Sequence, residues 1–334
     1  MAVSSAAFAQ SSVTIYGKVD MGLSNAIGGT NAGALDLLPT QALAKAETGL
    51  NEASGSRVGF RGTEDLGGGL KANFTLEHRF KPDTGAESVP GTFWAGRSIV
   101  GIEGGFGRVD MGRDYTAAFW PALAGDVFGF DGVANNVAAI AAGTHSVRMP
   151  NGIFYTSPVM GGLRVRASVS LKESGAATAK NGSSIAVNYT MGGLSLDAAT
   201  ERSLTAAGAT TNNEWTGLGA AYDFGVAKAN ILVTKGDRAA IAAATPVTAT
   251  SRLAQVQADT DGVILGLVVP MGALTLKASF STLEVNDVKT VSQLGLGARY
   301  ALSKRTDVYG SYARNSKAAA VDKTGFEIGL QHNF

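Results

Sequence analysis

Hydrophobic and polar residues alternate along most of this chain, and the alternation continues to its last residue. The final nine residues place four apolar side chains and one histidine in a single row, namely Phe326, Ile328, Leu330, His332 and Phe334. Because successive side chains of a β-strand point to opposite faces, this row predicts a strand with one mainly apolar face. The last residues of a soluble domain usually fray, so a strand patterned up to a terminal aromatic indicates a closed barrel in a membrane.

The same period of two recurs in many segments, for example 70–80, 163–172 and 274–281. In each, one row is apolar and includes small residues such as alanine, while the other row is polar and often charged. The core of a β-sandwich would need large side chains in the apolar row. The pattern is therefore typical of a barrel with lipid outside and water inside.

Short turns and long loops follow one another along the chain. Seven tight turns are predicted at 63–69, 103–105, 157–162, 190–193, 223–225, 270–273 and 302–305. Eight longer segments are predicted at 25–52, 81–92, 113–148, 173–182, 203–213, 236–258, 284–290 and 315–323. Together they connect sixteen antiparallel strands, with short turns at one rim and long loops at the other, which predicts an all-β transmembrane barrel.

Composition narrows the alternatives. The chain has 334 residues, of which 45% are hydrophobic, yet the longest notable uncharged stretch, 262–276, is interrupted by glycine and proline. Its length is also below the ~18 residues of a membrane-spanning helix. Cysteine is absent, which excludes disulfides and thiolate metal sites. The 28 basic residues nearly balance 27 acidic ones, so nothing in the overall charge favours nucleic acid as a partner.

The first residues contain a small-x-small pattern, Ala7-Phe8-Ala9, which is typical of a signal-peptidase site. Residues 1–9 are therefore predicted to be the end of a cleaved signal peptide, and residues 10–334 a single barrel domain. The segment lacks a basic n-region and a full apolar core, so an ordinary chain terminus is the alternative.

Aromatic residues support this topology. The side chains that lie at the ends of alternate strands, next to the short turns, are Tyr155, Tyr189, Tyr222, Tyr300 and, at the chain end, Phe334. All five are predicted to lie at one rim and to form an interfacial aromatic girdle. Randomly placed tyrosines in a strand-rich protein are the alternative.

Several segments, in order along the chain, resemble the general porins of Gram-negative outer membranes, especially the β-proteobacterial branch. They are 12–20, 56–72, 97–101, 106–108, 112–113, 148–158, 301–306 and Phe334. The resemblance spans 12–334. It implies a sixteen-stranded outer-membrane barrel that forms homotrimers, contacts lipid and lipopolysaccharide, and lets ions and small hydrophilic solutes diffuse passively. It implies no cofactor and no metal, and it assigns Phe334 to recognition by the outer-membrane insertion machinery.

In that family the third long loop folds into the barrel and faces arginines on the wall. The corresponding loop here spans 115–147. By resemblance the wall would contain Arg57, Arg97 and Arg148, with Arg61 and Arg113 nearby, and the opposing loop acids would be Asp126 and Asp131. Alternation places Arg57 in the lumen if Val58 faces lipid. An excess of arginine predicts a preference for anions. Alternatively, these are ordinary solvated lumen residues.

Other functional classes are less favoured. A hydrolase would need a serine–histidine pair, and among the three histidines only His145 could serve, for which an ordinary loop or pore-mouth position is the simpler interpretation. An adhesin or receptor role of the outer loops, a substrate-specific channel and a secreted soluble β-protein remain as alternatives. The sequence names no solute.

Overall fold

The computed structural model describes residues 12–27, 47–141, 144–172, 181–204, 212–238, 258–317 and 323–334. The proposed signal-peptide end, 1–9, lies outside these residues, as do parts of the predicted loops 25–52, 173–182, 203–213, 236–258 and 315–323. None of the helices in the described ranges is long and apolar enough to span a membrane.

The described residues form seventeen strands and two short helices. The strands are β1 Ser12–Asn25, β2 Gly49–Asn51, β3 Ser56–Gly67, β4 Leu70–Phe80, β5 Ser98–Gly104, β6 Gly107–Tyr115, β7 Arg148–Thr156, β8 Leu163–Ser170, β9 Gly182–Met191, β10 Leu194–Leu204, β11 Asn212–Asp223, β12 Lys228–Arg238, β13 Ala258–Met271, β14 Leu274–Val285, β15 Val288–Ala301, β16 Thr306–Asn315 and β17 Thr324–Asn333. The helices are α1 Phe119–Gly125 and α2 Val137–Ala141.

All pairings are antiparallel and the sheet closes into a barrel. β1 pairs with β3 on one side and with β17 on the other, and Gly17 and Phe334 exchange backbone hydrogen bonds of 2.9 and 3.1 Å at the seam. The three-residue β2 pairs only with one end of β1, so it adds no wall strand. Sixteen strands therefore form the wall, which confirms the predicted strand number. Closure satisfies the backbone of every wall strand, as a membrane-spanning sheet requires.

The two faces of the wall have opposite polarity. On β14, Ser279 and Ser281 are 3% and 1% exposed, whereas Leu276 and Phe280 are 40% and 44% exposed. Ser279 contacts the Asn136 side chain, which lies in a loop inside the barrel, at 3.5 Å. The polar row therefore faces the lumen and the apolar row faces outward, as expected for a barrel surrounded by lipid.

The seven predicted short turns are confirmed, but one predicted long loop is wrong. Residues 284–290, interpreted as a loop because they are polar, continue β14 and β15 up to a two-residue hairpin of Asn286 and Asp287. Both residues have positive φ angles, 50° and 62°, as a tight hairpin turn of the primed type requires. Asn and Asp tolerate this conformation, which is why two polar residues are sufficient here.

The segment between β6 and β7, residues 116–147, is named the constriction loop. It contains both helices and lies inside the barrel, where Ala118 N–H donates to the Ser184 hydroxyl at 2.8 Å and Trp215 Nε1–H donates to the Ile140 carbonyl at 2.7 Å. An apolar cluster that includes Ile140, Trp215, Leu232 and Ile264 fills the space between loop and wall. The predicted inward fold of this loop is confirmed.

Candidate functional site

The constriction loop is attached to the wall along much of its length. Its first residues bind β8 and β9, its middle carbonyls accept from Asn230 and Gln293, and Gly132 N–H donates to the Ala53 carbonyl at 2.9 Å, close to β3. Because strands β8 to β15 and the β3 side are all contacted, the loop crosses the lumen rather than lining one sector. It therefore narrows the channel.

Asp126 organises this loop from within. It is 3% exposed and accepts hydrogen bonds from the N–H groups of Phe128, Phe130 and Asn136 and from the Asn136 side-chain amide, at 2.9 to 3.1 Å. Burial raises the pKa of the Asp126 carboxyl, and the hydrogen bonds from Asn136, Phe128 and Phe130 oppose that rise. The Asp126 oxygens are thus held by donors of the loop itself, and the carboxylate also lies within Coulombic range of Lys277 on β14.

Three arginines converge on one phenol at the start of the loop. The Tyr115 hydroxyl accepts from Arg148 at 2.6 Å and from Arg79 at 3.2 Å. The Arg148 guanidinium carbon lies 4.3 Å from the centroid of the Tyr115 ring, and that of Arg97 lies 5.9 Å away. Tyr115 in turn stacks on Phe119 of α1 at 4.1 Å. The ring fixes the guanidinium groups beside the constriction loop through cation–π contact.

The arginines of this group differ in their charge partners. Arg97 makes a two-pronged ion pair with Asp114, at 2.6 and 2.7 Å, and Arg79 pairs with Glu77 at 2.7 Å. Among the described residues, Arg148 has no acidic side chain within ion-pairing distance. The expected wall residues Arg97 and Arg148 are thus brought together, but only the charge of Arg97 is locally compensated.

Arg57 lies next to this group on β3. It is paired across the sheet with Lys18 on β1 and with Arg79 on β4, so three cationic residues are cross-strand neighbours. Lys18 is buried and hydrogen-bonds to the Ser54 hydroxyl. Like charges directly opposite one another cost stability, so this part of the wall carries a local concentration of positive charge at an energetic cost.

The two remaining arginines are more distant from Tyr115. Arg61 is exposed and its guanidinium lies 5.1 Å from the centroid of the Tyr16 ring. Arg113 follows an irregularity between Gly112 and Asp114 and donates to the Ala95 carbonyl at 3.2 Å. The extra residue of this irregularity lies on β7, between Met149 and Gly152, and β6 keeps its alternation. Arg113 therefore shares the row of the exposed Met111, opposite the buried Asp114, and the structure does not bring it into the arginine group.

Asp131 is the second expected loop acid. It is half-buried near the tip of the constriction loop and lies within Coulombic range of Lys18 on β1 and Lys277 on β14. Unlike Asp126, it is placed between cationic groups on two sides of the barrel.

Sequence reasoning missed Arg79, Tyr115 and Lys18. Arg79 and Lys18 follow the lumen-facing period of their strands, so the alternation alone could have identified them. Tyr115 had no such signal, because its role depends on three side chains from distant parts of the chain. His145, expected to be a loop or pore-mouth residue, lies in the constriction loop and is buried against Glu201, with 3.3 Å between its Nδ1 and a carboxylate oxygen.

The five expected girdle residues lie at the short-turn rim, on or next to the turn-proximal ends of their strands. They are Tyr155 on β7, Tyr189 on β9, Tyr222 on β11, Tyr300 on β15 and Phe334 after β17. Each shares a row with exposed apolar side chains, and Tyr222, Tyr300 and Phe334 are 46%, 48% and 44% exposed. The row therefore faces outward, where an interfacial aromatic would lie.

Comparison with known proteins adds the family. The model of the Gram-negative porin family matches residues 1–320. Outer membrane porin protein 32 of Delftia acidovorans is 31% identical over 100% of this chain and 97% of its own length. A solved structure of an anion-selective porin from Comamonas acidovorans is 26% identical, covers 97% of this chain and 100% of its own, and has a TM-score of 0.77. A trimer form of OmpT from Vibrio cholerae shares the fold at 16% identity, over 97% of this chain and 99% of its own, with a TM-score of 0.67. The chain thus belongs to the Gram-negative porin family and forms a β-barrel channel in the outer membrane through which ions and small hydrophilic solutes diffuse passively.

Proposed function

We propose that this channel prefers anions. The observation that carries the proposal is the group of arginines on Tyr115, held beside the constriction loop with Arg148 free of an acidic partner in the described structure. The description of the Comamonas relative as anion-selective supports it.

The local charge balance also supports the proposal. Glu77 and Asp114 offset Arg79 and Arg97, which leaves Arg57 and Arg148 as positive charges on this side of the lumen, while Asp20 lies within Coulombic range of Lys18. On the loop, the Asp126 oxygens are held by donors of the loop itself, and Asp131 lies within Coulombic range of Lys18. We assign the anion preference to Arg57, Arg97 and Arg148. Arg61 lies farther along β3, the strand that carries Arg57.

The size of the effect follows from Coulomb's law. A unit charge about 5 Å from the ion path contributes about 0.8 kcal/mol even at the dielectric constant of water. The charge lowers the free energy of an anion and raises that of a cation by this amount, which corresponds to about a sixteenfold change in the permeability ratio of anion to cation. Because the Debye length is about 8 Å at physiological ionic strength, the preference should weaken as salt rises.

Neutral substitution tests the assignment. We expect Arg148→Gln and Arg57→Gln each to shift the reversal potential in a salt gradient toward cations, and the triple variant with Arg97→Gln to shift it furthest. The matched control is the double variant Arg97→Gln with Asp114→Asn, which removes an ion pair without changing net charge and should keep the wild-type preference. Equal reversal potentials in all these variants would show that the arginines do not set selectivity.

We also propose that the protein assembles as a homotrimer in contact with lipid and lipopolysaccharide, and that the insertion machinery recognises Phe334. The outward apolar rows and the aromatic rim support contact with lipid, and the exposed ring of Phe334, which follows β17 at the rim, supports its recognition. Cross-linking of the detergent-purified protein, followed by gel electrophoresis with and without heating, tests the trimer. A single band at the monomer mass after cross-linking would contradict it.

A further inference from the structure

A cavity of about 210 Å³ lies beside the constriction loop, on its short-turn side. Strand β8 fixes its position. Ala117 N–H of the loop donates to the Ser168 hydroxyl at 3.1 Å, and Arg166, which lines the cavity, lies two residues closer to the short turn. The cavity is lined by Arg97, Tyr115, Trp120 and Arg166, among others. The cavity is therefore next to the arginine group on Tyr115 and extends from it toward the short-turn rim.

The charges around this cavity are unequal. Arg97 is paired with Asp114, and Arg108 is paired with Asp110 at 2.7 Å. For Arg166, by contrast, no acidic side chain of the described residues lies within ion-pairing distance. Asp197 acts on Arg166 only at longer range, so the cavity presents one guanidinium without a direct ion pair among the described residues, which suits a ligand with one negative charge better than a dianion.

Aromatic rings form the other side. The Arg166 guanidinium carbon lies 5.1 Å from the centroid of the Trp120 ring, and Trp120 is 38% exposed although it belongs to the helix of a loop inside the barrel. Tyr115 contacts Trp120 edge-on at 5.7 Å. The Trp120 indole therefore leaves part of its apolar surface exposed in a lumen whose other surfaces are mainly polar. Such a surface binds planar rings through offset or edge-to-face contact.

We propose that this cavity is a binding site for small aromatic monocarboxylates, whose carboxylate pairs with Arg166 and whose ring packs on Trp120. The size agrees, because the volume is below the ~300 Å³ at which pockets for drug-sized ligands begin, so a single ring is the largest suitable occupant. The site refines the anion preference proposed above and rests on it. It would make the channel selective among anions of one charge, in contrast to a purely electrostatic pore.

The test is block of the channel current by benzoate. Purified wild-type protein is recorded in a planar bilayer in KCl, and benzoate, cyclohexanecarboxylate or acetate is added to either side in turn. We expect saturable block by benzoate, with a half-blocking concentration at least about tenfold below that of the other two, since only benzoate offers a planar π-face to the indole. Equal block by all three acids, or no saturable block, would overturn the proposal.

Variants locate the site. Arg166→Gln and Trp120→Leu should each raise the half-blocking concentration of benzoate about tenfold, measured relative to the open current of the same variant. Arg164→Gln is the matched control, since it removes an equal charge two residues away in the same lumen-facing row but does not line the cavity. It should change the value less than threefold.

Two further variants keep the test decisive. Trp120→Phe keeps an aromatic ring and should lose less affinity than Trp120→Leu, and Arg166→Lys should fall between wild type and Arg166→Gln, because lysine lacks the two-pronged geometry of arginine. Equal loss in the Arg164 variant would assign the block to general charge and overturn the site. A wild-type channel without anion preference would instead contradict the proposed function, and that result is read from the reversal potential without benzoate.

Discussion

Replacing Asp126 by alanine should loosen the constriction loop without unfolding the barrel. The carboxylate is 3% exposed and binds four N–H donors, three from the backbone and one from the Asn136 amide. In the variant these donors lose their acceptor while they stay inside the loop. The wall strands are unaffected, because the Asp126 carboxylate makes none of its hydrogen bonds to a strand of the barrel.

The magnitude follows from the number and type of bonds. A hydrogen bond to a charged group contributes about 1.5–3 kcal/mol, and losses within one network are not additive. A total of about 3 kcal/mol in the local opening of the loop is therefore a conservative expectation. It corresponds to about a 150-fold increase in the population of the open loop.

Hydrogen exchange of backbone amides measures the population of the open loop directly. The amides of Phe128, Phe130 and Asn136 should exchange about a hundredfold faster in Asp126→Ala than in the wild type, and single-channel current should become noisier. Asp131→Ala is the control, because it removes the same charge from the same loop and breaks no hydrogen bond of the described structure. Unchanged exchange in Asp126→Ala, or the same increase in Asp131→Ala, would refute the role of Asp126 as the loop's internal anchor.

Three other outcomes are expected. Trp215→Phe removes the 2.7 Å hydrogen bond to the Ile140 carbonyl, so the amides of α2 should exchange about fivefold faster for a loss of about 1 kcal/mol; unaltered protection would contradict this anchor. Gly17→Val places a side chain in the ring of Phe334 at the barrel seam and should lower the yield of heat-modifiable barrel, whereas Gly105→Ala, with open space around it, should assemble normally; equal yields would contradict the packing at the seam. Deletion of Phe334 should reduce assembly in cells by a larger factor than it reduces refolding in detergent, and equal reductions would argue against recognition by the insertion machinery.

The barrel itself could be predicted from the sequence, because each wall strand is a local pattern with period two. Rows such as Leu276 and Phe280 against Ser279 and Ser281 fix which face meets lipid, and a slip of one residue would reverse every side chain. The Asn286-Asp287 hairpin was missed because a run of polar residues has the same composition whether it forms a long loop or a tight turn.

The constriction could be predicted only in part. Alternation and family resemblance place Arg57, Arg97 and Arg148 on the lumen side, and the structure brings Arg97 and Arg148 together on Tyr115. Asp126 accepts its hydrogen bonds from other residues of the constriction loop, so its role depends on the path of that loop. The alternation of polar and apolar residues does not encode that path. Arg113 lies in the row of β6 that also holds the exposed Met111, so alternation alone could have excluded it from the lumen.

The measurement that tests the account most directly is the reversal potential of the wild-type channel in a planar bilayer under a tenfold KCl gradient. We expect stepwise conductance and a potential with the sign of anion preference, below the limit of about 59 mV for a perfectly selective monovalent channel. A potential with the sign of cation preference would contradict the role given to the arginines on Tyr115.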